Sequence, residues 1–157
     1  MSSNCIRFFL FVFVLIVVSI AVIANNYTFN IHNLNPTNIK VYFQSEIGLE
    51  NLKTLNSGAG CYINCSTNNF DSIINKYSYS GFTFNTKLSS DAIIKNLNAK
   101  IVSKQKITIN NEKKLILYCY FNKFDKFLLI DNQKVNLQIV EKQDYCIIGW
   151  PLILGSY

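Results

Sequence analysis

The stretch LILYCYF, residues 115–121, carries apolar or aromatic side chains on both of its alternating faces, as a strand inside a sheet requires. Its neighbours extend the same reading. AKIVSKQKITI (99–109) alternates, with Ile101, Ile107 and Ile109 expected inward and Lys100, Lys104 and Lys106 outward. Asn110-Asn111 then offers a hairpin turn between the two strands. Downstream, Phe127–Ile130 leads through Asp131-Asn132 into Val135, Leu137 and Ile139, and Tyr145–Trp150 closes a meander before Pro151.

Upstream of residue 99 the period changes. Cys61–Cys65 reads as a short strand, and Thr67-Asn68-Asn69 offers side-chain oxygens to cap a helix that carries Phe70, Ile73, Ile74 and Tyr77 at helical spacing. Gly81–Lys87 is a strand with Phe82 and Phe84 on one face, and Ser89-Ser90-Asp91 caps a second helix bearing Ile93, Ile94 and Leu97. Grouped strands with two helices, rather than alternating βα units, indicate an α+β fold: an antiparallel sheet with two short helices packed on one face. This domain is expected over residues 58–157. Residues 25–57 read as a spacer or irregular segment. Within it lie strand-like alternations at Tyr27–Ile31 and Ile39–Phe43, an Asn35-Pro36 turn and a short helix over Glu46–Leu55.

The first 24 residues have a different character. From Phe8 to Ala24 there is no charge, and the run is built of Phe8, Phe9, Leu10, Phe11, Val12, Phe13, Val14, Leu15, Ile16, Val17, Val18, Ile20, Val22 and Ile23 with small residues between. Each such side chain favours lipid by about 0.3–0.6 kcal/mol, so the run sums to roughly 5 kcal/mol. As a helix it spans about 26 Å, slightly short of a ~30 Å hydrocarbon core. It is also longer than the apolar region of an ordinary signal peptide, yet Ser19-Ile20-Ala21 and Val22-Ile23-Ala24 are acceptable cleavage triplets. Residues 1–24 are therefore a signal-anchor helix or a cleaved signal peptide. Arg7 precedes the run and the next basic residue is Lys40, so the positive-inside tendency exports the body. The expected location is the cell membrane, single-pass with an exported C-terminal domain, or outside the cell if the leader is removed.

The whole chain carries a formal charge of +6. Beyond the leader all fourteen basic residues are Lys, against nine acids, leaving +5. The lysines are scattered, and Arg, which suits bidentate phosphate or base contacts, is absent from the body, so nucleic acid is not an expected partner. The acceptor triplets Asn26-Tyr27-Thr28 and Asn64-Cys65-Ser66 fall in a chain rich in Asn throughout. Cys61, Cys65, Cys119 and Cys146 are either buried thiols or disulfide partners, with Cys61 and Cys65 too far apart on one strand to bond to each other. Metal binding finds few ligands, since His32 is the only histidine.

His32 is also the only imidazole base for a nucleophile, and it lies in the least patterned segment. Glu46, Glu50, Asp71, Asp91, Glu112, Asp125, Asp131, Glu141 and Asp144 fall mostly at caps and turns. Gly58-Ala59-Gly60 lacks the length and the following Lys of a phosphate loop. No catalytic, cofactor or metal residue is therefore assigned. Tyr77, Tyr79, Tyr118, Tyr120, Tyr145, Tyr157 and Trp150 gather in and after the sheet, as strand residues or as a binding face.

IDNQKVNLQI (130–139) followed by IIGWPLI (147–153), together with LNAKIV (97–102), resembles the YwmB-like family, small exported or membrane-anchored proteins of Gram-positive bacteria. The likeness covers residues 58–157, with Trp150 where the family pattern has Thr and with the cysteines outside it. It implies the same α+β fold and address and transfers no functional residue. The "TATA-box binding" label that some members carry does not move function with fold. The resulting expectation is an extracytoplasmic module that binds an envelope polymer, another envelope component or a protein partner. The alternative is an extracytoplasmic hydrolase using scattered carboxylates.

Overall fold

The described residues form ten strands, β1 (Thr37–Phe43), β2 (Leu55–Ser57), β3 (Gly60–Cys65), β4 (Gly81–Thr86), β5 (Lys100–Ile109), β6 (Glu112–Tyr120), β7 (Leu128–Ile130), β8 (Gln133–Val135), β9 (Leu137–Glu141) and β10 (Cys146–Trp150). Helical spacing gives α1 (Thr67–Lys76) and α2 (Ser90–Leu97). The structure, a computed structural model, describes residues 30–46, 48, 49, 52–57, 60–109 and 112–153. The expected leader helix over Phe8–Ala24 and most of the Tyr27–Ile31 alternation lie outside these. Ile31–Leu34 forms a 3-10 turn.

Eight strands form one sheet in the order β2-β3-β1-β4-β10-β9-β6-β5, and β7 pairs with β8 as a separate hairpin. Every described pairing is antiparallel. Direct partners share a face, so Val41, Phe82, Trp150, Ile148, Ile139 and Leu117 all project to one side. Both helices pack on that side. Phe70 of α1 meets Phe82 edge-on at 5.1 Å between ring centroids, and the Ser90 hydroxyl at the start of α2 donates to Glu141. Each fully buried Phe, Leu or Ile in this layer contributes about 1.5–3 kcal/mol.

The helix termini differ from expectation in one respect. α1 starts at Thr67 with Ser66 at its N-cap and no side-chain capping bond, so Thr67-Asn68-Asn69 lies within the helix. For α2, Ser89 caps as expected, its hydroxyl accepting from the Ala92 N–H at 3.3 Å. Asn98 ends α2 in the left-handed conformation, and its N–H and that of Ala99 return to the carbonyls of Lys95 and Ile94.

Three further expectations are corrected. The described residues from Ile31 to Ser57 are not a spacer outside the domain. β1 lies between β3 and β4, with Ile39, Val41 and Phe43 buried, so the compact unit begins at Ile31. Glu46–Leu55 holds no helix among its described residues; Gly48 sits at φ +80°, inside the expected span, and Leu55 already belongs to β2. In β5 a bulge between Ile101 and Ser103 reverses the alternation, placing Ile101 opposite Cys119 but Lys104 opposite Leu117 and Lys106 opposite Leu115. Lys104 and Lys106 therefore share the face of Ile101, and Ile107 projects to the other.

On the face away from the helices, Pro151–Ile153 folds back across Gly149. The Ile153 N–H donates to Gln138 Oε1 at 2.9 Å, and a Cβ on Gly149 would fall 2.5 Å from the Ile153 nitrogen. Glycine is needed there for close approach.

Candidate functional site

One cross-strand row, Thr86–Cys146–Glu141–Leu115–Lys106, runs across five strands near one end of the sheet. Beyond Leu115, β6 no longer has β9 beside it, so Glu112–Lys114 and their β5 partners project as a two-stranded arm. The chain from Lys142 to Tyr145 turns away on the other side, closed by the Lys142 N–H donating to the Tyr145 carbonyl at 3.0 Å. Between arm and turn opens a cleft of about 1130 Å³, lined by Lys106, Lys113, Lys114, Lys142, Glu112, Glu141, Asp144 and Tyr145 among others. Several of these charges are already engaged. Lys114, 7 % exposed, lies 3.8 Å from Glu112; Glu141 accepts from Ser90; Lys142 donates to the Tyr145 hydroxyl at 3.2 Å. Lys106 and Lys113 are exposed, and their side chains make no hydrogen bond or ion pair among the described residues.

The other end of the strands carries the β7–β8 hairpin. Asp131 (φ 49°) and Asn132 (φ 62°) form its two-residue turn, both in the left-handed region that a type I′ turn requires. Phe127, Leu128 and Leu129 are 41 %, 44 % and 65 % exposed, three of the four large apolar side chains that the described surface shows. The Lys134 ammonium lies 4.4 Å above the Phe127 ring. A buried side chain holds the base of the hairpin: Asn136 accepts from the Phe121 N–H at 2.7 Å and donates to the Phe121 and Phe124 carbonyls at 2.8 and 2.9 Å. Behind this clamp Phe124 packs on Trp150 and Phe82, and Lys126 approaches the rings of Tyr79 and Trp150. The Trp150 Nε1–H is buried with no hydrogen-bond partner, a cost that the surrounding ring contacts offset.

All four body cysteines are free thiols. Cys61 and Cys65 share β3, Cys146 lies three strand spacings away, about 14 Å, and Cys119 two strands beyond that. A disulfide needs Cα atoms within about 7 Å, so this register offers no bridge among these four cysteines. Burial pushes the thiols of Cys65, Cys119 and Cys146 up to about 11; Glu141 adds to the effect at Cys146, and Lys104 opposes it at Cys119. Cys61 is raised as well, by burial first and Glu46 second. Thiols held protonated in this way are poor nucleophiles and poor metal ligands.

His32 Nε2 lies 3.7 Å from Asp71 Oδ2 of α1, exposed and not among the residues that line the cleft. Among the described residues no three of His, Cys, Asp and Glu gather as metal ligands, and no helix is long and apolar enough to cross a membrane. The residues proposed for the membrane, Phe8 to Ile23, lie outside the described set. Of the aromatic candidates, Trp150 is core, Tyr79 packs against it, and Tyr145 borders the cleft. Sequence reading missed the cleft, which depends on where β9 stops pairing with β6. It also missed Asn136, one asparagine among many.

These features define an α+β protein built on a large antiparallel sheet with two helices, bearing a charged cleft at one end of its strands and an apolar hairpin at the other. No protein family model, no curated protein and no solved structure matches this chain.

Proposed function

We propose that the chain is an extracytoplasmic binding module, anchored in the membrane through residues 1–24 and engaging a protein partner of the envelope through the β7–β8 hairpin. The observation that carries this reading is the exposed Phe127-Leu128-Leu129 edge. Among the described residues β7 pairs only with β8, which leaves its other edge available to a further strand. Lipid would leave the backbone groups of that edge unpaired and would have to accept Asp131 at the turn, whereas a partner strand can pair them. The motifs at 130–139 and 147–153, with their likeness to the YwmB-like family, support the same address. Protease accessibility and the mature N-terminus on whole cells test the anchor. Photocrosslinking from position 129, compared with position 53 as an exposed control, tests the contact. A protease-resistant body in intact cells, or equal crosslinking from both positions, contradicts the reading.

A second reading, a hydrolase working through carboxylates, draws on the cleft, whose lining includes Glu112, Glu141 and Asp144. Hydrolysis of a glycan substrate that Glu112→Gln and Asp144→Asn abolish would favour it over the binding module.

A further inference from the structure

The cleft between the β5–β6 arm and the β9–β10 turn has a surplus of unengaged positive charge. Of its acids, Glu112 is paired with Lys114, and Glu141 keeps its charge while accepting from Ser90, so Glu141 and Asp144 stand against Lys106, Lys113 and the Tyr145-bound Lys142, a surplus of one positive charge. Lys104, one residue pair further along β5, projects to the same face as Lys106. Lysine ammoniums are compact point charges that suit phosphate oxygens without demanding a planar bidentate partner.

The cleft also lies at the end of the strands where the chain enters the domain. The Thr86 hydroxyl donates to the Leu34 carbonyl at 2.6 Å, and Thr86 begins the row that finishes at Lys106. Four strand spacings, about 19 Å, separate those two positions. Residues 25–29 are all that stands between the apolar run and Asn30, and extended chain covers at most about 3.6 Å per residue. An anchored chain therefore holds Asn30 within roughly 20 Å of the bilayer surface.

We propose that this cleft is a site for phosphate-bearing anions, and that its ligand is the phosphate of an anionic lipid headgroup in the membrane that anchors the chain. This rests on the anchored reading above. In effect the domain is held at two points, by the leader and by Lys106, Lys113 and Lys142 on the headgroups.

The full chain, synthesised directly into nanodiscs, provides the test. One preparation contains phosphatidylcholine alone, a second phosphatidylcholine with inorganic phosphate in the buffer, and a third phosphatidylcholine mixed with phosphatidylglycerol. Acetylation rates of individual lysines are read by mass spectrometry. In the phosphatidylglycerol discs Lys106, Lys113 and Lys142 should be acetylated several-fold more slowly, while Lys53 and Lys76 keep their rates. In K106Q/K113Q, which changes two exposed side chains, Lys142 should lose that protection. Unchanged rates at the three lysines, or equal slowing of all lysines, overturns the site. Equal protection by inorganic phosphate in phosphatidylcholine discs overturns the headgroup as its ligand. Co-elution of the chain with the discs is scored separately. Failure to co-elute removes the anchor and this proposal together, whereas co-elution without protection removes only this proposal.

Discussion

The two ends of the sheet are finished in opposite ways. At the hairpin end, chain leaving β6 is tied down by the side chain of Asn136, which is fully buried and makes three hydrogen bonds to backbone. That clamp supports an apolar strand facing solvent. At the cleft end no comparable clamp reaches the β5–β6 arm among the described residues. The arm projects because β9 stops at Glu141, and the space beside it is lined by lysines and acids. A buried polar network thus presents an apolar surface, and an interrupted ladder presents a polar one. Perturbing the first should cost stability, while perturbing the second should change binding and leave the fold intact.

The largest effect is expected at the clamp. Asn136→Leu strands the Phe121 N–H and the carbonyls of Phe121 and Phe124 away from water. Buried unpaired groups cost about 1–3 kcal/mol each, so a loss of about 3 kcal/mol or more in urea unfolding is expected. A loss below about 1 kcal/mol would mean that the hairpin base hydrates freely, and the contrast between the ends would disappear.

Gly149→Ala comes next. Its Cβ would lie within 2.7 Å of Ile153 N and Cα, which are backbone atoms with little freedom to yield. Overpacking of this kind costs about 1–3 kcal/mol, visible as a lower melting temperature. Gly149 is the fourth of the five residues of β10, beside Trp150 at the hairpin end, so footprinting should rise more at that end than at the cleft.

Sequence reading and structure agree where the signal is local. LILYCYF (115–121) forms most of β6, Asp131-Asn132 supplies the turn that its residue types favour, and Ser89 caps α2. They part where long-range pairing decides. Ile39–Phe43 carries the alternation of a strand, but nothing local places it between β3 and β4. The β5 bulge turns Lys104 and Lys106 towards the face that strict alternation gives to Ile107. The cleft follows from that bulge and from the last β6–β9 pair, neither of which has a residue signature. Asn136 is equally hidden, because only its burial distinguishes it from its neighbours.

The thiols offer a pH test of the buried layer. Cys65, Cys119 and Cys146 are pushed up to about 11 from an ordinary value of 9.0, so the folded state holds these protons more tightly than the unfolded state. Their contribution is fully present below pH 9 and falls as pH rises towards about 11. Urea midpoints should therefore drop between pH 8.5 and pH 10.5, and Cys146→Ala should show a smaller drop. At neutral pH, alkylation should be slow until denaturant is added. Fast alkylation of Cys119 would show that the β6–β9 region opens and would bring the two ends closer in character. Ser89→Ala, which removes the α2 cap near the cleft, should cost about 1 kcal/mol.

The smallest change in stability belongs to the most exposed apolar residue. Leu129 is 65 % exposed on a strand with a single neighbour, and surface substitutions of this kind usually stay within about 0.5 kcal/mol. Leu129→Lys should leave urea unfolding unchanged while removing the partner contact that crosslinking from Leu128 reports. Lys113→Leu at the cleft end is its mirror image, equally neutral to the fold and expected to weaken headgroup protection of Lys106 and Lys142. If Leu129→Lys instead destabilises the chain as strongly as Asn136→Leu, the leucine is packing within its own domain. The hairpin then belongs to the core, and the cleft alone remains as the surface through which this protein meets another molecule.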